Sequence, residues 1–150
     1  MEVKDLIENL KQQKKNLFQL FNAASLKQRA LVQLNYEDLE KSIMTEERTL
    51  VNIQQTEKHR INILAELYLG YSIHCETPKL SEFIEKTKEY IGAKTLENIS
   101  LHEKELKKLI KQISVINQQN KYLIENSRAF IKETITSLLN KNKSLLDRRV

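Results

Sequence analysis

The feature that most constrains this chain is an apolar pattern that runs unbroken from Thr95 to Leu139. Ile99, Leu106, Leu109/Ile110, Ile113, Ile116, Leu123/Ile124, Phe130/Ile131, Ile135 and Leu138/Leu139 recur at heptad-like steps, with no glycine or proline among them. Steps of three and four place such residues on one face of an α-helix. At about 1.5 Å per residue this helix spans roughly 68 Å. A lone amphipathic helix gains little without packing, so other helices must shield much of its length.

Two earlier stretches qualify. The first carries Val3, Leu6/Ile7, Leu10, Leu17, Leu20/Phe21, Ala24, Leu31 and Leu34, interrupted at Gln13/Lys14 and Lys27/Gln28. The second carries Tyr36, Leu39, Ile43, Leu50, Ile53, Ile61, Leu64 and Leu67/Tyr68, interrupted at Glu46/Glu47 and Glu57. In an antiparallel pair these lysines and glutamates would face each other. Asn35 suits an N-cap with Asp38 beside the first-turn amides, which puts a reversal at Leu34–Tyr36. Gly70 suits a helix exit. Thr77-Pro78 then reads as N-cap and first helical position of a short helix holding Leu80, Phe83, Ile84 and Tyr90/Ile91. Gly92 closes it, and Thr95 caps the last helix.

With 2 Gly, 1 Pro and no Trp in 150 residues, turn formers are too scarce for a sheet-rich fold. The expected fold is all-α: an elongated antiparallel bundle of three long helices with one short additional helix, packed like a coiled coil. Short loops favour it over a parallel or domain-swapped dimer. Residues 1–140 form the bundle. The polar segment 141–150 is a flexible tail in which Leu145, Leu146 and Val150 have no assigned partner.

Catalysis finds no support. His59, His74 and His102 stand in separate contexts, without metal-ligand spacing. The His74-Cys75-Glu76 triplet lacks a second cluster. Two glycines cannot build a phosphate-cradling loop, so neither cofactor nor metal is expected. No stretch is long and apolar enough to span a membrane, and the N-terminus lacks the pattern of a signal peptide. Cys75, the only cysteine, fits a reducing compartment. A cytoplasmic protein without stable membrane insertion is therefore expected.

Residues 1–75 hold 10 Lys/Arg and 10 Asp/Glu, whereas residues 76–150 hold 15 and 10, so the whole excess of +5 lies in the second half. The basic stripe Lys104, Lys107, Lys108 and Lys111 has Glu103 and Glu105 as ready partners, or could meet an acidic protein. Interspersed acids and the lack of interleaved aromatics argue against nucleic acid. What remains is a protein-binding bundle, and there the segment NQQNKYLIEN, Asn117 to Asn126, matters most. Asn117 and Asn120 lie three apart on the helix, and Leu123, Ile124 and Ser127 continue their face. Buried amides need partners. They fix register, as a buried asparagine does in coiled coils, leave a seam open to a second protein's helix, or simply face solvent.

These residues resemble the FlgN family over about residues 2 to 140. The family joins two long helices near an acidic Asp-Leu step, here NYEDLEKSI, Asn35 to Ile43. Its second helix runs through acids and leucines to an arginine, here EERTLVNIQQTEKHRINIL with Arg60 in the matching place. Its last helix carries N-x-x-N, then apolar residues and a small one, here Asn117, Asn120, Leu123, Ile124 and Ser127. The resemblance implies a cytosolic export chaperone of flagellar hook-associated proteins. Such a chaperone binds their C-terminal helical ends, blocks premature polymerisation and delivers them to the flagellar export apparatus. The client-binding residues it implies are Ile116, Asn120, Leu123, Ile124, Ser127, Phe130, Ile131, Ile135, Leu138 and Leu139. A coiled-coil adaptor or assembly protein unrelated to flagella would share every periodicity described.

Overall fold

The computed structural model describes residues 1–149, with side chains through Ser144. The side chains of the expected tail beyond that point, Leu145, Leu146 and Val150 among them, lie outside the described residues. Four helices make up the chain: α1 (Val3–Gln33), α2 (Tyr36–Gly70), α3 (Leu80–Lys86) and α4 (Ala93–Arg149). Three long helices and one short one are the architecture that the periodicities predict. Helix α4 has 57 residues, about 85 Å at ~1.5 Å each.

Helix α1 is the spine. It packs antiparallel on α2 and parallel to α4, while among the described residues the Cα atoms of α2 and α4 stay more than 8 Å apart. The pairs Asn9–Thr56 and Lys27–Glu46 fix the first direction. Lys14–Glu105 and Ala24–Asn120 fix the second. The polar layers of the sequence are thus divided between two seams. Lys27 meets Glu46 at 3.2 Å, as the antiparallel pairing predicts. Lys14 instead reaches Glu105 of α4, and Glu57 pairs with Arg60 of its own helix.

The α1–α2 reversal follows its sequence signals. Leu34 takes a left-handed conformation with φ 54°, and the amides of Leu34 and Asn35 both donate to the Ala30 carbonyl. The Asn35 side chain then accepts from the Asp38 amide at 3.2 Å. The arrangement closes α1 and opens α2, but a leucine in this conformation costs roughly 1–2 kcal/mol relative to a right-handed one. Helix α2 ends at Gly70, where the sequence places its exit.

The corner departs from the sequence reading. Thr77-Pro78 does not start α3; the helix begins at Leu80, after Lys79. The Lys79 carbonyl accepts both the Phe83 amide at 3.0 Å and the Tyr68 hydroxyl at 3.2 Å. An anchor reaching over from α2 therefore sets where the helix starts. Thr87 ends it by donating its hydroxyl to the Phe83 carbonyl at 2.6 Å. Tyr90 and Ile91 consequently sit in a turn, their amides sharing the Thr87 carbonyl. Helix α4 starts at Ala93 from the Gly92 carbonyl, so Thr95 lies inside its first turn instead of capping it.

Burial is graded along the molecule. One end holds the apolar core, in which Leu6 and Leu10 of α1 meet Ile63, Leu64 and Leu67 of α2, with Phe83, Leu96 and Ile99 closing the base. Tyr68 meets Phe83 edge to face, centroids 5.6 Å apart, and burial pushes its hydroxyl pKa upward. Toward the α1–α2 turn the buried residues become small: Ala23, Ala24, Ala30, Ser42 and Thr49. Less apolar surface is buried there, so this end holds together less tightly than the base.

Candidate functional site

Four buried amides stitch the spine to its neighbours. Asn9 donates to the Thr56 carbonyl at 3.0 Å, Gln13 to the Ile53 carbonyl at 3.4 Å, and Asn16 to the Thr56 hydroxyl at 3.0 Å. Asn120 donates to the Ala24 carbonyl at 2.9 Å from inside the α1–α4 seam. The sequence reading singles out Asn117 and Asn120 together, yet only Asn120 is buried, at 2% exposure. Three residues along a helix are about 60° apart around it, enough to put Asn117 outside. Asn120 therefore sets register.

That register has a measurable cost, because the Asn120 Oδ1 is buried without a partner among the described residues. Asn120→Leu removes this orphan, and the Ala24 carbonyl keeps its intrahelical amide. The chain should gain about 1 kcal/mol in urea unfolding. Asn120→Asp places a buried carboxylate against that carbonyl and should lose about 3 kcal/mol. Equal midpoints for the two variants would contradict the geometry.

The other implied client-binding residues follow a gradient along α4. Ile116 is buried with Asn120 against α1. Leu123, Ile124 and Ser127 are half-buried, and every side chain from Arg128 to Ser144 is exposed. Phe130 is 70% exposed and Leu138 56%, and Ile131, Ile135 and Leu139 are likewise open. The stripe that packs on α1 thus runs on past the end of α1 with nothing over it among the described residues. Ile116 and Asn120 belong to the bundle interior, and the accessible ridge is Leu123 to Leu139.

At the level of the α1–α2 turn the ridge borders a groove of about 390 Å³. Ile124, Ser127 and Ile131 form its α4 wall, and Ala30, Leu31 and Leu34 its α1 wall. Tyr36, Leu39 and Ile43 close it from α2. None of the site residues expected from sequence lies on α1 or α2. The available signal was Leu34 itself, an apolar residue at a helix end where glycine is the usual choice.

Electrostatics complete the surface. Lys107 pairs with Glu103 at 2.7 Å, so part of the basic stripe is an ordinary helix face. The hydrogen bond from Lys14 holds the Glu105 carboxyl below the usual range. That pair adds stability above the carboxylate range and loses it as pH falls through the lowered pKa. Arg60, hydrogen-bonded to Glu57 through two nitrogens, is held above its already high pKa and stays charged. Among the described residues no three His, Cys, Asp or Glu side chains could hold a metal ion. Nor is any described helix long and apolar enough to cross a membrane.

Comparison with known proteins finds one family. The sequence profile of a family described as "FlgN protein" matches residues 1–146. No curated protein and no solved structure matches the chain.

Proposed function

The chain belongs to the FlgN family, and from that premise we propose that it is a cytosolic type III export chaperone for flagellar hook-associated proteins. Membership makes it a non-enzymatic chaperone or adaptor of flagellar biogenesis. On our reading it binds the C-terminal helical ends of hook–filament junction proteins, keeps them from polymerising early and brings them to the export gate. Such ends assemble through an apolar helical stripe, and a chaperone helix laid along that stripe blocks assembly while leaving the rest of the client mobile.

One observation carries the reading. The packing stripe of α4 continues beyond its own bundle as an open apolar ridge, Phe130 to Leu139. A helix of this kind gains little unless a second helix covers it, and a specific contact needs only about 800 Å² on each partner. No nucleotide is required, since competition at the export apparatus can release the client.

Mixing the full chain with the C-terminal segment of a hook-associated protein, and measuring mass by light scattering, tests this directly. A complex of defined stoichiometry is expected. Separate, unshifted masses at tens of micromolar would refute the client assignment.

A further inference from the structure

The groove at the α1–α2 turn has two features that the ridge alone does not explain. The first is Leu34. Its backbone is left-handed, where glycine is cheaper, yet it carries an apolar side chain that is 64% exposed and lines the groove. Neighbouring Tyr36 also lines it and is 73% exposed. A residue that costs stability and remains uncovered contributes nothing to the fold that glycine would not.

The second feature is a line of charge. Lys121, Arg128 and Lys132 are spaced by seven and four, so they stack along one edge of α4, with the exposed Glu125 between Lys121 and Arg128. All three are exposed, and none makes an ion pair among the described residues. Arg128 lines the turn groove, and Lys121 and Arg128 line the next depression down, opposite Glu46 of α2. The cations therefore edge the apolar stripe on the side that faces α2.

We propose that the α1–α2 turn is a second wall of the client site, with Leu34 and Tyr36 taking an apolar anchor and Lys121, Arg128 and Lys132 selecting a partner helix whose stripe carries acids on one flank. This rests on the reading of the α4 ridge as the client surface and extends it to residues of α1 and α2. The occupant is a helix of another protein. The unpaired cations would lie beside groups of the same sign in an antiparallel self-pair, whereas an acidic flank neutralises them. The apolar anchor supplies affinity, and the charges set orientation and partner choice.

The test is a titration of the full chain with the same hook-associated C-terminal segment, run beside urea unfolding. Leu34→Gly should raise the unfolding midpoint and weaken binding about tenfold, a pair of opposite changes that a purely structural leucine cannot give. Leu34→Asn, which left-handed backbone also accepts, should weaken binding similarly. Arg128→Glu with Lys132→Glu should weaken it about tenfold at low salt and flatten its salt dependence. Unchanged affinity in the Leu34 variants, or in the charge-reversed one, overturns the second wall and leaves the ridge standing. A wild-type chain that binds no segment overturns both. A free chain that is dimeric, and becomes monomeric with Leu34→Gly, assigns the groove to a second copy and overturns the proposal.

Discussion

Phe130→Glu combined with Leu138→Glu should weaken client binding at least a hundredfold while helicity and the urea midpoint stay at wild-type values. Both side chains are more than half exposed in the free chain, so replacing them removes little from the fold. Glutamate is a good helix former, which keeps α4 intact. Burying a large apolar side chain at an interface contributes about 1.5–3 kcal/mol. Two of them amount to roughly 3–6 kcal/mol, and every 1.4 kcal/mol is tenfold in affinity. The new carboxylates also bring charge into a contact that would exclude water, which widens the gap. Ile116→Ala offers the converse control. It is buried against α1, so its effect belongs to stability, about 2–4 kcal/mol, with binding lost only to the extent that the chain unfolds. Binding by the double variant within tenfold of wild type would remove the ridge from the client site.

Such a clean division between folding residues and surface residues was only partly visible in the sequence. Heptad spacing showed α4 and its apolar face, because side chains three and four apart share a face whatever packs on them. Spacing does not tell where the partner helix stops. Ile116 and Ile135 look alike in sequence, yet one faces α1 and the other faces water, and the difference is set by the length of the α1–α2 hairpin. The reversal itself was legible, since Asn35 and Asp38 are local capping signals. Its use as a wall was not, because the groove arises only when Leu34 and Tyr36 stand beside Ile124 and Ile131, about ninety positions away.

The amides teach the same lesson in a different way. Asn9, Asn16 and Asn120 are all buried on seam positions, and each donates across a helix interface. In the sequence Asn9 and Asn16 carry no signal of their own, and Asn120 stands out without showing what it bonds. Their partners are mainly backbone carbonyls, which carry no side-chain signature to read. The corner failed for a related reason. Thr77-Pro78 is a sound local start signal, but the helix starts at Leu80, where the Lys79 carbonyl also accepts the Tyr68 hydroxyl. In each case local chemistry proposed and a distant group decided.

That distant control makes α3 the place where one substitution should cost the most stability. Phe83→Ala should destabilise the chain by about 3–5 kcal/mol, the range for truncating a fully buried aromatic. Phe83 has no exposed surface and lies edge to face with Tyr68, near Tyr71 as well. The cavity cannot collapse easily. Helix α3 is only seven residues long and is pinned at both ends, by Tyr68 to Lys79 and by Thr87 to Phe83. For a chain of this size a urea slope of about 2 kcal/mol/M converts the loss into a midpoint lower by about 1.5–2.5 M. Phe83→Leu keeps most of the volume and should cost roughly half as much. The ridge proposed to bind the client lies at the opposite end of the spine. Below the transition, therefore, Phe83→Ala should bind the hook-associated segment with wild-type affinity, and added segment should raise its midpoint. A loss under 1 kcal/mol would show that α3 unfolds apart from the bundle. The base would then not be what anchors the root of α4, and the free ridge would need some other support to hold its position.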